Sequence, residues 1–285
     1  MCSRVCPLEA RPLRPTTIGV LHLSDLHFGL ERLGTLWPSI RERFFDDLRK
    51  NHSKTGPWNL LTFTGDLTQR GAKEEFDGAN KILVEILAEL KKLGSSPIVL
   101  AVPGNHDLVR PAKQQDPYVL NALKRWGEIP EVDDFLWKEG SAARQLLEGA
   151  FQNYAQWSED WLKKQEKQFA NLHRGILPGD FSASISFGEY SVGIMGLNSA
   201  FLQLDGSEYR GRLAIDPRQF HGACECRDGS IWAQQHTLNL LLTHHGPEWL
   251  SAASREAYEA DIYVPERFLA HLHGLKLTAG LKQPM

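Results

Sequence analysis

VLHLSDLHF, residues 20–28, is the stretch from which the fold can be read. A strand-like apolar run ends at Ser24, and an acid and an imidazole then stand two residues apart, at Asp25 and His27. In an extended chain residues i and i+2 share a face, so both side chains can reach one point. That point could hold a metal ion. The pattern recurs three times: 60–64 empties into Gly65-Asp66, 98–102 into Pro103-Gly104-Asn105-His106-Asp107, and 238–243 into His244-His245. In a layered α/β fold the carboxyl ends of the central strands lie together, where such sheets bind ligands. Four separated segments thus converge on one site. Taken singly each has a plainer reading: Asp66 as a helix N-cap, Asn105 as a turn residue, Asp107 as a solvated carboxylate.

Helical patterns lie between these runs. Leu36, Ile40, Phe44, Phe45 and Leu48 recur at helical spacing and predict a helix that ends before turn chemistry at 51–57. Phe76, Ala79, Ile82, Leu83, Ile86, Leu87, Leu90 and Leu93 predict a second, closed by Gly94. Strand and helix alternating in this way mark βαβ units. From 108 to 179 the character changes to prolines, charges and tryptophans, read as a helical insertion over the strand ends; Leu147, Phe151, Tyr154, Trp157 and Trp161 form one stripe suited to packing. Strands return at 182–187 and 191–197, joined as a hairpin, followed by helices near 217–222 and 251–260.

The chain has 285 residues, 42% of them hydrophobic, enough for a substantial core. Its formal net charge of −3 gives no basic footprint for tracking a nucleic-acid backbone. Residues 1–15 read as a flexible tail without the apolar stretch of a signal peptide, and no run approaches a membrane span. A cytoplasmic protein with no membrane partner is the expectation. Cys224 and Cys226 are read as reduced surface thiols, since one C-x-C is a weak metal signal.

The ordered set Asp25-x-His27, GDLTQRG at 65–71, PGNHD at 103–107 and His244-His245 resembles the calcineurin-like metallophosphoesterase superfamily, over most of the chain from residue 18 onward. The resemblance implies an α/β metallophosphoesterase-type β-sandwich flanked by helices, with residues 16–285 as its domain. It implies hydrolysis of phosphodiester or phosphomonoester bonds by a metal-bound hydroxide, with two divalent ions (Mn, Fe or Zn) as cofactors. By that resemblance Asp25 and His27 hold one ion, Asp66 bridges, and Asn105 with His244 serve the second, with His245 the fallback. His106 would protonate the leaving oxygen and Asp107 would orient it. Cyclic nucleotides, nucleotides or short nucleic acids are the implied substrates.

The family ends with Gly-His-x-His, one more ligand for each ion. Here 268–277 read FLAHLHGLKL, which fits in two registers. In one, adopted as the expectation, His271 and His273 are the ligands. In the other, Gly274 takes the glycine's place and Leu275 and Leu277 replace both histidines. The chain stops at Met285, where relatives continue through another strand. A domain of a longer protein, a C-terminally truncated product and a degenerate member all fit that ending. The competing functions are a catalytically weakened binding or regulatory module and a nuclease effector domain of a larger protein.

Overall fold

The computed structural model describes residues 17–30, 33–112, 114–128, 130–264 and 266–274. The tail expected over 1–15 lies outside them, as do residues 275–285. The β-branched and leucine-rich runs form β1 (Val20–Leu23), β2 (Leu60–Thr64) and β3 (Ile98–Val102), paired in parallel in the order β1-β2-β3. Two helices make the crossovers, α1 (Leu33–Thr55) and α2 (Lys73–Lys92). Helix α1 runs through 51–55, where turn chemistry was expected. Ser53 and Thr55 turn their hydroxyls back onto the carbonyls of Lys50 and Asn51, so these residues continue the helix instead of breaking it.

A second sheet contains β4 (Asn171–Arg174), β5 (Phe181–Phe187), β6 (Tyr190–Gly196), β7 (Leu238–Leu242) and β8 (Ala270–Leu272), in that order. β4, β5 and β6 pair antiparallel, while β6, β7 and β8 pair parallel. The alternation of side chains along each strand sorts the core into layers. Leu60, Ile98, Leu100 and Val102 pack against Phe181, Ala183, Ile185, Val192, Ile194, Leu240 and Leu242 between the sheets. Leu61, Phe63, Val99 and Ala101 face the other way, onto Phe45 and Leu48 of α1 and Phe76, Ile82, Ile86 and Leu90 of α2. The chain is therefore an α/β sandwich of two sheets flanked by helices.

Within 108–179 lie α3 (Pro117–Lys124), α4 (Pro130–Trp137), α5 (Ala142–Ala150) and α6 (Gln152–Lys164), but the segment then supplies β4 and is not helical throughout. The aromatic stripe is broken at Phe151, between α5 and α6. Leu147 and Phe151 join the core beyond the second sheet, whereas Tyr154 and Trp157 join that beyond the first. Trp126 and Trp137 pack on Phe201 at 5.5 and 6.4 Å. Just past α6, Gln165 closes the free edge of β3, accepting from Val99 N at 2.7 Å and donating to Val99 O at 2.9 Å.

Three short helices follow, α7 (Pro217–Gly222), α8 (Gly229–Gln234) and α9 (Ala252–Ala257), the last continuing into a π-helical turn at 258–262. Cys224 is fully buried among them and its thiol is pushed up to about 12 by that burial, so of this pair Cys226 alone is a surface thiol. Among the described residues no helix is long and apolar enough to cross a membrane.

Candidate metal centre

The loops leaving β1 and β2 run side by side. Asp25 N donates to Gly65 O, His27 N to Asp66 O, Phe28 N to Leu67 O and Gln69 N to Phe28 O. This ladder forces Asp25, His27 and Asp66 into left-handed backbone, with φ of 58°, 47° and 58°. Such conformations cost non-glycine residues energy and cluster where function over-determines them. The loop after β3 closes on the same point. A Cβ on Gly65 would lie 2.4 Å from His244 Nδ1, and one on Gly104 2.2 Å from Asp66 Oδ1, so both glycines are needed for the close approach.

Asp66, buried to 3% exposure, is the centre of the cluster. Its Oδ1 accepts the His106 N–H at 2.9 Å. Its Oδ2 lies 3.6 Å from His27 Nε2 and 3.4 Å from His244 Nε2. Asp25 Oδ1 is 3.8 Å from His27 Nε2, and Asn105 Oδ1 3.2 Å from His244 Nε2. The carboxylate–imidazole separations are long for charge-assisted hydrogen bonds. Two ligands held at about 2.0–2.2 Å by one tetrahedral ion stand about 3.3–3.6 Å apart, so the spacing suits ligands that share a cation. His27 Nδ1 is moreover buried without a hydrogen-bond partner among the described residues. The residues present fit a metal.

Two groups can each surround an ion, His27 with Asp66 and His106, and Asp25 with Asp66 and His244. Asp66 is common to both. His244 donates Nδ1–H to Thr64 O at 2.8 Å, which turns Nε2 toward Asp66; in the neutral ring that a metal would require, Nε2 carries the lone pair. Burial opposes charge on His244, but Asp66 outweighs it and lifts the imidazole to about 9. Burial likewise tends to raise Asp66, and the charge and hydrogen bond of His244, with His106 behind, hold it well below the usual carboxylate range.

His106 stacks edge-on against His27 at 4.8 Å. Its orienting partner is not Asp107. His106 Nδ1 is 2.9 Å from the carbonyl of Gln69, while Asp107 accepts from Gly104 N, Thr68 N and Thr68 Oγ1 at 2.9 to 3.0 Å. Asp107 is thus fully spent on joining two loops. Buried and beside Asp66, it is pushed up to about 6, against those hydrogen bonds. The expectation that it orients His106 is corrected on that ground. The GDLTQRG motif carried both missed residues, Thr68 and Gln69, but a backbone carbonyl leaves no signature in a sequence.

The histidines at the end of the chain are also corrected. His271 is paired with Leu241, whose side chain faces the helical layer, so alternation directs His271 there as well. Both its nitrogens are engaged, Nε2 with Thr243 Oγ1 at 2.7 Å and Nδ1 with Tyr258 OH at 2.8 Å. His273 belongs to neither ligand group; its Nδ1 is 3.3 Å from Gly274 O and its ring abuts Gly246. It is Gly274 that reaches the cluster, its N–H donating to His244 O at 2.8 Å, and a Cβ there would stand 2.9 Å from that oxygen. Gly274 therefore stands where the second register put the glycine; Leu275 and Leu277 lie outside the described residues. His245 turns to Ser199, with Nδ1 3.1 Å from its hydroxyl.

The family model for calcineurin-like phosphoesterases matches residues 18–274. No curated protein matches the chain.

Proposed function

The chain belongs to the calcineurin-like phosphoesterase family, and from that premise we propose that it hydrolyses phosphodiesters with a pair of divalent ions. The observation that carries the reading is Asp66 Oδ2, placed 3.6 Å from one imidazole and 3.4 Å from another. When bound, such ions supply an activated water and neutralise charge on the phosphoryl oxygens. In this reading Asp25 and His27 would hold one ion, Asn105 and His244 the other, and Asp66 would serve both; the spacing alone also groups Asp25 with His244 and His27 with His106, and the order of the family's motifs selects the pairing proposed. The softness of this mixed N/O set suits Mn, Fe or Zn. His106, whose Nδ1 lies 2.9 Å from Gln69 O, keeps Nε2 for the departing oxygen. Phosphodiesters such as cyclic nucleotides and short nucleic acids are proposed over proteins as substrates on fold-level analogy. Free thiols at Cys224 and Cys226 accord with a cytoplasmic setting.

The test is Mn(II)-dependent hydrolysis of bis(p-nitrophenyl) phosphate by the full chain. Asp66→Asn should bring the rate close to background while the protein still folds. Full activity of that variant with two ions bound would reject the bridging role.

A second reading, a weakened module that binds phosphoesters without turning them over, is favoured by one observation. His271 is committed to Thr243 and Tyr258, and Gly274 approaches His244 as the register with Leu275 and Leu277 requires. Counting ions separates the two readings. Two tightly held ions support the enzyme; a single loosely held ion with near-background turnover supports the module.

A further inference from the structure

The hydrogen bonds around His271 run in one direction, and they end on the turn that carries His244. A carbonyl only accepts, so Thr243 Oγ1, 2.7 Å from His245 O, must donate to it. The same hydroxyl therefore accepts from His271 Nε2–H at 2.7 Å. That assigns the tautomer of His271, whose Nδ1 lone pair accepts the Tyr258 O–H at 2.8 Å. Tyr258 opens the π-helical turn at 258–262, is 1% exposed, and stacks on Tyr263 at 5.8 Å with planes 3° apart. π-helical turns are rare and recur at functional sites. Thr243 is itself fully buried at the end of β7.

The far side of the turn is held as firmly. Gly274 N donates to His244 O at 2.8 Å and His245 N donates to Ser199 Oγ at 2.9 Å. The His245 carbonyl is a further point of attachment, and the chain from Tyr258 supplies it.

We infer that Tyr258, His271 and Thr243 are positioning residues that fix the 244–245 turn, aim His244 Nε2 at Asp66, and so set the affinity of the centre for its metal. The inference rests on the reading of the Asp66 cluster as a metal centre. It gives His271 a place beside the metal site without making it a ligand. Partners bonded directly to a metal ligand typically change metal affinity by about 10–100-fold when lost, and this chain, which reaches His244 through its neighbour His245, should act at or below the low end of that range.

The experiment compares the full chain with Tyr258→Phe, Thr243→Val and Thr243→Ser. Phenylalanine removes only the hydroxyl; valine keeps the shape of threonine and removes its hydroxyl, while serine retains it. Mn(II) affinity should fall by up to about tenfold in Thr243→Val, by less in Tyr258→Phe, and be close to wild type in Thr243→Ser. In the metal-free protein, the ¹⁵N signals of the imidazole rings should report an Nε2–H tautomer at His271. The His244 and His245 signals should move in the first two variants and return in the third. Wild-type Mn(II) affinity together with unmoved His244 and His245 signals would overturn the inference, as would equal losses in Thr243→Val and Thr243→Ser. If the wild-type chain binds no Mn(II), the metal-centre reading fails, and the ring signals still decide whether the chain from Tyr258 holds the turn. Should Tyr258→Phe not fold, the contrast between valine and serine at 243 carries the decision.

Discussion

Asp66 divides its two oxygens between tasks that need different neighbours. One accepts a main-chain N–H from His106, which orients the carboxylate; the other faces two imidazoles and is left for cations. His106 is held by the same economy of short links, its ring 2.9 Å from Gln69 O and 4.8 Å from His27. If it delivers a proton to the leaving oxygen, His106→Ala should keep its metal and lose turnover by about 10²–10⁴-fold. The loss should be largest for esters with basic leaving groups, because a good leaving group departs without help. Parallel rate measurements on p-nitrophenyl and alkyl esters check this. Equal losses on both would make the ring a charge stabiliser and not an acid. The proposed ligands Asp25, His27, Asp66, Asn105 and His244 are nominated by the sequence because each follows an apolar strand in a fixed motif, and the structure brings them together. What could not be read was the contribution of the main chain. Gln69 O orients His106 in the place where an acidic neighbour, Asp107, was expected, and three candidate ligands adopt φ values near 50° that no residue type announces.

At the scale of elements, the alternation that made β1 informative misled at β8. The spacing of His271 and His273 allows both rings on one face, but only pairing with β7 decides which face that is. Register with Leu241 sends His271 to the helical layer, whereas Ala270 and Leu272 pack between the sheets. The break at Phe151 is a similar case, since a continuous stripe from Leu147 to Trp161 hides the boundary between α5 and α6 that divides the stripe between two cores. β8 also carries a pH dependence. Burial, reinforced by His273, lowers His271 from 6.5 to about 3, so the folded protein keeps it neutral while the unfolded chain protonates it below 6.5. The unfolded state then binds more protons, and stability contributed by the neutral ring is lost as pH falls from 6.5 toward 3. Between pH 7 and 5 this amounts to roughly 2 kcal/mol, at about 1.4 kcal/mol per unit. Urea unfolding at the two pH values should show that loss in the wild type and a smaller one in His271→Gln. An equal loss in both would place the acid sensitivity elsewhere.

Across the whole molecule, the candidate ligands are drawn from both sheets. Asp25, His27, Asp66 and Asn105 follow strands of the first, and His244 follows β7 of the second. A cation bound among them ties the two halves of the sandwich at their carboxyl ends. Without metal, the His244 imidazolium and the Asp66 carboxylate, 3.4 Å apart, make that link. Its pH dependence has the opposite sign to that of His271. His244 is raised from 6.5 to about 9 on folding, so its contribution is complete below 6.5 and disappears as pH rises through 9. The metal-free protein should therefore lose roughly 2 to 3 kcal/mol between pH 6.5 and 9, most of the difference set by 2.5 units at about 1.4 kcal/mol each, the remainder falling outside that window. Metal reverses this, because binding at Nε2 requires the neutral ring and gains affinity as the proton leaves. At a concentration about 100 times Kd an ion adds about 2.7 kcal/mol. Thermal unfolding of chelator-treated protein should thus show Tm falling from pH 6.5 to 9, while the Mn(II)-loaded protein holds or rises, and metal binding at pH 8 should release about one proton for the ion that takes His244. A chelator-treated protein as stable at pH 9 as at 6.5, with no proton released on binding, would mean that His244 is not the residue through which the second sheet meets the metal.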